Sequence, residues 1–165
     1  MPSVTIRAAR PDDLDALVRL CADHAAYERA AYDPEGKAQK LGALLFEPAP
    51  RLACVVAERD RQPVGFATWT AQVATWSADR YAYLDCLYLD EAARGAGTGR
   101  RLVARVASDA RAAGCRRLEW QTPAFNVRAV RFYGRLGATR ADKVRFFLDA
   151  AAADRLIADP TRPDG

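Results

Sequence analysis

The stretch YLDCLYLDEAARGAGTGRRL, residues 83 to 102, joins an apolar run to three closely spaced glycines and then to an arginine-rich segment. The run before Asp90 is rich in aromatic and aliphatic residues, which is typical of a strand. Residues 100–114 carry apolar positions at helical spacing and end at Gly114, a residue type that favours the left-handed position after a helix. The stretch therefore predicts a strand, a glycine loop and a helix, in that order.

The glycine loop, Gly95 to Gly99, comes directly before the predicted helix. Glycines let the backbone approach a ligand closely, and the first amides of a helix are unpaired donors at the positive end of its dipole. A triphosphate loop is excluded because no Gly-Lys-Ser/Thr follows, and a dinucleotide loop is disfavoured because the glycines are spaced by two. The pyrophosphate of coenzyme A and a plain tight turn remain as alternatives.

The rest of the chain alternates predicted strands and helices. Strands are predicted at 4–9, 51–58, 64–76, 81–89, 116–122 and 143–148, and helices at 11–31, 37–45, 100–114 and 126–137. The second and third strands are joined by the turn RDRQP and should pair antiparallel. This order predicts an α+β domain (α/β by some schemes) over residues 1–149, followed by a short helix and frayed tail at 150–165.

The composition is that of an ordinary single domain. The chain has 165 residues, 50% of them hydrophobic, which is enough for a core without disulfides. Its four cysteines are widely spaced and it has one histidine, so we expect free thiols and no metal site. The net charge is +4, but the basic residues are scattered, so we expect no nucleic-acid partner. Without a signal-like or membrane-length apolar segment, we expect a cytoplasmic protein with no membrane partner.

Two motifs resemble those of the GCN5-related N-acetyltransferase (GNAT) superfamily. ARGAGTGRRL, residues 93–102, matches its Arg/Gln-x-x-Gly-x-Gly/Ala signature, and NVRAVRFYGRLGA, residues 126–138, matches its Asn-x-x-Ala-x-x-Phe-Tyr-x-x-x-Gly segment. IRAARPDDLDAL, residues 6–17, resembles the opening strand and helix, whereas Ala138 departs from the phenylalanine of many members. The resemblance implies a mixed, mostly antiparallel sheet of about six or seven strands, about four flanking helices and a splayed fourth and fifth strand.

The resemblance also implies acetyl-CoA as the acetyl donor and assigns residues to it. The backbone of the fourth strand would bind the pantetheine arm, and the glycine loop would hold the pyrophosphate. Residues of the second motif would make further contacts with the cofactor. The implied residues are Leu87, Tyr88, Leu89, Arg94, Gly95, Ala96, Gly97, Thr98, Gly99, Arg100, Asn126, Ala129 and Tyr133.

The implied reaction is a direct attack of an amine on the thioester. By resemblance, Tyr133 would protonate the departing thiolate, and Asp85 is the candidate base, with Glu119 on the neighbouring strand as second choice. A different mechanism would use Cys86 as a nucleophile, but His24 lies about sixty residues earlier, and no group that would orient it is identifiable. A non-catalytic acetyl-CoA sensor is the alternative outside enzymes.

Within the superfamily, AAYER (25–29), YLDCLYL (83–89) and GCRRLEW (114–120) look most like the diamine (spermidine/spermine) branch. That branch implies a cationic substrate, and the family resemblance implies a homodimer. Cys86 departs from the branch, which usually has a second acid there, so amino acids and other small amines stay open, as do aminoglycosides and protein lysines or N-termini. The implied substrate residues are Tyr27, Glu28, Asp85, Glu119, Trp120 and Gln121.

Overall fold

The structure is a computed structural model in which residues 3–161 are described. It forms two compact units, Met1–Val130 and Arg131–Gly165, and each is described by itself. The strands are β1 Thr5–Ala8, β2 Ala53–Arg59, β3 Gln62–Ala74, β4 Asp79–Leu89 and β5 Leu118–Glu119. The helices are α1 Leu14–Glu28, α2 Lys37–Phe46, α3 Thr98–Ala112, α4 Val127–Arg135 and α5 Ala150–Ala158, with 3-10 turns at Pro11–Asp13 and Glu91–Ala93.

The sheet of the first unit has the order β1-β2-β3-β4-β5. The first three pairings are antiparallel and β4 pairs with β5 in parallel, so the predicted mixed sheet is confirmed. The predicted hairpin of β2 and β3 turns at Asp60 and Arg61, whose φ angles are 51° and 64°. Positive φ at both central residues matches the right-handed twist of the flanking strands.

Helices cover both faces of this sheet. On one face, which we call the α1 face, Leu17 and Leu20 of α1 pack with Val56 and Phe66 of the strands. On the other, the α3 face, Leu102 and other apolar residues of α3 pack with side chains of β2, β3 and β4. The amphipathic pattern of α1 and α3 thus produces a three-layer unit in which the sheet is buried between helices.

Strand β4 contains a β-bulge at Asp85. Thr68 of β3 pairs with Cys86, but the next residue, Trp69, pairs with Leu84, so Asp85 has no partner. An extra residue in one strand reverses the alternation of side chains beyond it. Before the bulge the even-numbered Leu84 packs on the α3 face, and after it the odd-numbered residues do.

The sheet has five strands among the described residues, fewer than predicted. Residues 143–148, predicted as a closing strand, are not paired in a sheet, and Val144, Phe146 and Phe147 are highly exposed. The predicted fifth strand, 116–122, is reduced to Leu118–Glu119, because its ladder with β4 has only two residue pairs. A segment forms a strand only where it can pair with the edge of a sheet. The local pattern of residues does not show whether such an edge is available.

Helix boundaries differ from the prediction mainly at α1. The predicted helix 11–31 begins as a 3-10 turn and ends at Glu28, because Arg29 takes a left-handed φ of 58°. Two predictions for other helices are confirmed: α3 ends before Gly114, whose φ is 79°, and α2 lies within a residue of its expected bounds.

The second unit holds the end of α4, the extended segment after it and α5. Helix α5 begins at Asp149, whose carboxylate accepts the backbone N–H of Ala152 at 2.7 Å. This cap fulfils the prediction of a short helix after Asp149. Residues 162–165 of the predicted frayed tail lie outside the described residues, and the predicted division into 1–149 and 150–165 stays a prediction.

Candidate functional site

The glycine loop has two glycines in the left-handed backbone region. Gly95 and Gly97 have φ angles of 93° and 74°, which L-residues with side chains rarely adopt. A Cβ atom at either position would meet no protein atom within 4 Å, so the space in front of both is open. Backbone conformation therefore explains the two glycines, and open space adjoins the loop.

Helix α3 begins directly behind this loop. Gly97 is its N-cap and offers no side chain, so the amides of Thr98, Gly99 and Arg100 lack the acceptors that a preceding turn would give. The buried hydroxyl of Thr98 has no hydrogen-bond partner among the described residues. Arg100 is exposed, whereas Arg101 donates to the Val4 carbonyl at 2.8 Å. Donors without acceptors at the positive end of a helix suit a phosphate group.

Two hydrogen bonds show how the backbone of β4 is oriented at its two ends. Ala82 donates its N–H to the Arg117 carbonyl at 2.8 Å, so residue 82 faces β5. Asp90 donates to the Val64 carbonyl at 2.9 Å, so residue 90 faces β3. Backbone groups of successive residues alternate in direction, so two even-numbered residues face opposite sides only because the bulge lies between them.

After the bulge, the even-numbered residues face β3, so the backbone N–H and C=O groups of Leu87 and Leu89 point away from β3. Strand β5 does not cover this part of β4, because the ladder between them ends at Tyr83 and Glu119. Arg94 donates from Nε to the Leu89 carbonyl at 2.9 Å, which is consistent with that orientation. An open strand edge therefore leads directly into the glycine loop.

Arg94 joins the glycine loop to α1 and to β4. Its guanidinium carbon lies 5.2 Å from the ring centre of Tyr27 and 5.6 Å from that of Tyr88. Cation–π contacts of this kind stabilise by about 0.5 to 1 kcal/mol each at partly exposed sites. The predicted cofactor residues Tyr88 and Arg94 are thus brought together, and Tyr27, predicted beside the substrate, lies with them.

Asn126 lies at the start of α4 and connects to the same cluster. Its Oδ1 accepts the Ala129 N–H at 3.1 Å, which is the predicted N-cap, and also accepts the Tyr27 hydroxyl at 3.4 Å. The carboxamide of Asn126 therefore keeps its NH2 group as a further donor. Tyr27, Arg94 and Asn126 form one continuous set of contacts at the glycine loop.

A strip of polar side chains covers the α1 face beside the open edge. The Gln121 Nε2 donates to the Tyr83 hydroxyl at 2.6 Å, and Arg117 Nε donates to Glu119 at 2.5 Å. Arg117 also lies 5.5 Å from the ring centre of Tyr81, whose hydroxyl donates to Gln72 at 2.6 Å. We call this set the polar strip; its members are Gln72, Tyr81, Tyr83, Arg117, Glu119 and Gln121.

Trp120 points the other way. Its side chain packs against the core of the α3 face, as does that of Leu118, because residues alternate along the strand. Of the three neighbours predicted to bind substrate, Glu119 and Gln121 lie in the polar strip and Trp120 lies opposite. Sequence reasoning missed Tyr83 and Arg117. Arg117 lies two residues before Glu119, and that spacing could have indicated it, whereas Tyr83 joins the strip only through the pairing of β4 with β5.

Asp85 and Cys86 lie at the bulge, between the polar strip and the open edge. Asp85 is exposed, and the Cys86 sulfur lies 3.7 Å from its Oδ2. Burial, and next the charge of Asp85, raise the pKa of the Cys86 thiol to about 12. The thiol therefore stays protonated at neutral pH, which disfavours a cysteine nucleophile.

His24 has other partners than Cys86. Its ring lies 5.5 Å from that of Tyr88, and its Nε2 lies 3.4 Å from the carboxylate of Glu28. Glu28, predicted to contact the substrate, is therefore an i,i+4 partner of His24 on α1.

Tyr133 lies on the part of α4 that belongs to the second unit. Its ring centre is 5.1 Å from that of Phe132, and the helix ends two residues later at Arg135. Its assignment as proton donor stays a prediction from the motif.

Within residues 3–161, no group of three or more histidine, cysteine or carboxylate side chains is arranged to hold a metal ion. In the same range, no helix has both the length and the apolar character needed to cross a membrane.

Residues 17–138 match the model of the acetyltransferase (GNAT) family. The chain is 31% identical to a thialysine N-epsilon-acetyltransferase of Bos taurus, over 84% of this chain and 85% of that protein. It is 28% identical to a D-amino-acid N-acetyltransferase of Saccharomyces cerevisiae, over 87% and 89%. An aminoglycoside N-acetyltransferase solved with CoA has the same fold, with a TM-score of 0.77 at 19% identity over 91% and 97% of the two chains. The chain thus belongs to the GNAT acetyltransferase family and is an acyltransferase.

Proposed function

We propose that this enzyme transfers the acetyl group of acetyl-CoA to a primary amine of a small cationic substrate, by direct attack within a ternary complex. The observation that carries the proposal is the open edge of β4, which runs from the polar strip into the glycine loop at the start of α3. A ligand with an extended polar arm and a pyrophosphate matches that continuous path. Proximity and orientation of the two substrates supply up to about 7 to 11 kcal/mol of the barrier reduction.

The residues of the path fit coenzyme A chemically. Free amides of Gly97 to Arg100 donate to the pyrophosphate, and the guanidinium of Arg100 adds a charge-assisted contact. Backbone groups of Leu87 and Leu89 extend the strand by pairing with the amide-containing arm, as peptides do at a sheet edge. In this scheme Arg94 positions the loop, since its Nε is held by the Leu89 carbonyl.

In this scheme Asp85 acts as the general base and Tyr133 as the general acid. Asp85, exposed at the bulge, accepts a proton from the incoming ammonium directly or through a water, which leaves a neutral amine. The amine nitrogen bonds to the thioester carbonyl carbon, the C–S bond breaks, and Tyr133 donates its hydroxyl proton to the departing thiolate. No covalent enzyme intermediate is required.

The acceptor is a diamine, a polyamine or an amino-acid-like amine. Motif similarity supports the diamine branch, while the named relatives acetylate thialysine and D-amino acids. The carboxylates of Asp85 and Glu119 suit an ammonium group in either case. Aminoglycosides and protein lysines or N-termini are the other acceptors that the family resemblance allows.

An acetyl-transfer screen tests this function. Release of free coenzyme A thiol is measured with polyamines, amino acids, aminoglycosides and a lysine peptide, and we expect turnover with the first two groups. In parallel, acetyl-CoA at about 100 times its Kd should stabilise the fold by roughly 2.7 kcal/mol. For a chain of this size that corresponds to a rise in Tm of about 5 to 10 °C. No thermal shift at millimolar acetyl-CoA overturns the donor assignment.

We also propose that the enzyme is a homodimer. The motif resemblance implies it, and the exposed side chains of Val144, Phe146, Phe147 and Leu148 give an apolar segment that a second copy would cover. Sedimentation equilibrium measures the mass directly, and a monomer at micromolar concentration overturns this proposal.

A further inference from the structure

Arg117, a member of the polar strip, also lines a pocket at the β3–β4 turn. The pocket has a volume of about 340 Å³ and is lined by Ala74, Thr75, Trp76, Ser77 and Arg117. Trp76 is fully exposed, and the Arg117 side chain is 57% exposed, so both are available to a ligand. Arg117 is the sole charged group of this lining.

We propose that Arg117 and this pocket bind the carboxylate of an amino-acid acceptor whose terminal amine is acetylated near Asp85. The inference rests on the proposed function and narrows its substrate class from small amines to amino acids with a long, amine-ending side chain. Arg117 is a specificity-determining residue in this scheme.

Charge supports a zwitterionic head group over a polyamine. Arg117 is paired with Glu119, so the strip offers a cation and an anion side by side. The carboxylate of an amino acid pairs with the Arg117 guanidinium in a bidentate way, and its α-ammonium pairs with the Glu119 carboxylate. A polyamine placed along the same path would bring a second ammonium group next to Arg117, which is repulsive.

Distance selects the length of the side chain. Arg117 lies opposite Tyr81, by extension of the β4–β5 register, and Tyr81 precedes Asp85 by four residues, or roughly 13 Å along a strand. An acceptor that reaches both groups therefore needs a long chain between its carboxylate and its terminal amine. Lysine has such a chain, whereas a short α-amino acid does not.

Lysine and cadaverine form a matched pair for the test, because cadaverine is lysine without its carboxylate. We expect the wild-type enzyme to have a lower KM for lysine than for cadaverine. Arg117→Gln should raise the KM for lysine about tenfold, and it should lower the KM for cadaverine, because it removes a charge that repels the second ammonium group; Arg117→Lys restores part of the preference for lysine. Arg116→Gln is the control, since Arg116 is exposed and does not belong to the polar strip.

Several outcomes overturn the inference. Equal changes of KM for lysine and cadaverine in Arg117→Gln would show that Arg117 does not bind a carboxylate. A wild-type enzyme that prefers cadaverine to lysine would also overturn the subsite, but it would leave the proposed amine acetylation intact. Calorimetric titration of lysine in the presence of coenzyme A separates the two proposals. Lysine binding that Arg117→Gln weakens, without any acetyl transfer, supports the subsite and overturns the proposed activity.

Discussion

Tyr27 illustrates how one side chain serves two parts of the site. The motif resemblance placed it with the substrate, yet its hydroxyl contacts Asn126 and its ring lies over the guanidinium of Arg94. It stands at the end of α1, one residue before Glu28. Because Tyr27 contacts both Arg94 and Asn126, we expect binding of the acetyl donor at the glycine loop and ordering of the end of α1 to be coupled.

Removing the hydroxyl of Tyr133 tests its role as proton donor. We expect Tyr133→Phe to lower kcat about 100-fold, because the departing thiolate loses its acid, with acetyl-CoA affinity nearly unchanged. Steady-state kinetics and calorimetric titration of coenzyme A give the two numbers. Tyr32→Phe is the matched control, since the Tyr32 hydroxyl donates to the Val18 carbonyl on α1. An unchanged kcat, where chemistry limits turnover, removes Tyr133 from the mechanism.

Cys86 provides the opposite prediction. Its buried thiol has a pKa raised to about 12, so very little thiolate exists at neutral pH. We expect Cys86→Ala to retain kcat within about twofold and to show no acetyl-enzyme by intact-mass spectrometry. An acetylated cysteine in the wild-type enzyme, lost together with activity in Cys86→Ala, contradicts direct attack.

Among the elements, the loop before α3 allows two effects of a glycine substitution to be measured separately: the change in backbone conformation and the loss of ligand contact. Gly97 and Gly114 both have positive φ, 74° and 79°, and open space around a Cβ atom. Alanine at either position should therefore lower the free energy of unfolding by a similar amount, about 1 kcal/mol. Gly97→Ala should also weaken coenzyme A binding at least tenfold, because its Cβ enters the ligand's space.

Gly114→Ala supplies the reference for that comparison, because Gly114 follows α3 at its far end. Coenzyme A affinity by calorimetry and unfolding by urea are measured for both variants. Equal affinity in the two variants means that the pyrophosphate does not lie on this loop.

The sequence predicted elements well where local signals decide them. Gly114 after α3 and Asn126 before α4 mark helix ends through their own backbone or side-chain chemistry. Strand 143–148 was wrong because its apolar, β-branched pattern states only that the segment suits a sheet. The bulge at Asp85 contains no glycine that would have predicted it. Its effect on the direction of Leu87 and Leu89 is therefore visible only in the pairing with β3.

At the scale of the whole molecule, a partly buried ion network joins the turn before α1 to the first two strands. Arg7 of β1 donates to both carboxylate oxygens of Asp13, at 2.7 and 2.8 Å, and also binds Glu58 of β2. The Arg7 hydrogen bonds, helped by the Arg10 backbone N–H, lower the pKa of Asp13 despite its burial. The charged carboxylate therefore stabilises the folded state.

Asp13→Asn tests this contribution. At pH 7 we expect a loss of about 2 to 3 kcal/mol in the free energy of unfolding, because Arg7 loses a buried partner. Since the pKa of Asp13 is lowered in the folded state, its contribution is full above about pH 4 and is lost as the pH falls further. Urea titrations at pH 7 and pH 3 should show the gap between variant and wild type shrinking.

Asp12→Asn is the control for that series, because Asp12 is exposed and its replacement should change stability by less than about 0.5 kcal/mol. A gap between Asp13→Asn and wild type that does not change with pH contradicts the ionic origin of the effect.

The candidate site was predictable only as far as its motifs extend. The glycine loop, Asn126 and the strand acid Asp85 follow from residue types and spacing. The polar strip does not, because Tyr83 and Gln121 come together across a two-residue parallel ladder that no local pattern specifies. Alternation alone puts the adjacent residues Glu119 and Trp120 on opposite faces, but only the long-range pairing of β5 decides that Trp120 is the one that meets the core.

The bulge at Asp85 has a consequence for how this strand can change over evolution or in engineering. Substitution at position 85 changes the exposed side chain at the bulge and leaves the chain path intact. Deleting Asp85 would produce a regular ladder, because Leu84 and Cys86 already pair with the adjacent residues Trp69 and Thr68, and Leu87 would keep its direction. The bulge is thus a point at which this strand can lose one residue without turning Leu87 and Leu89.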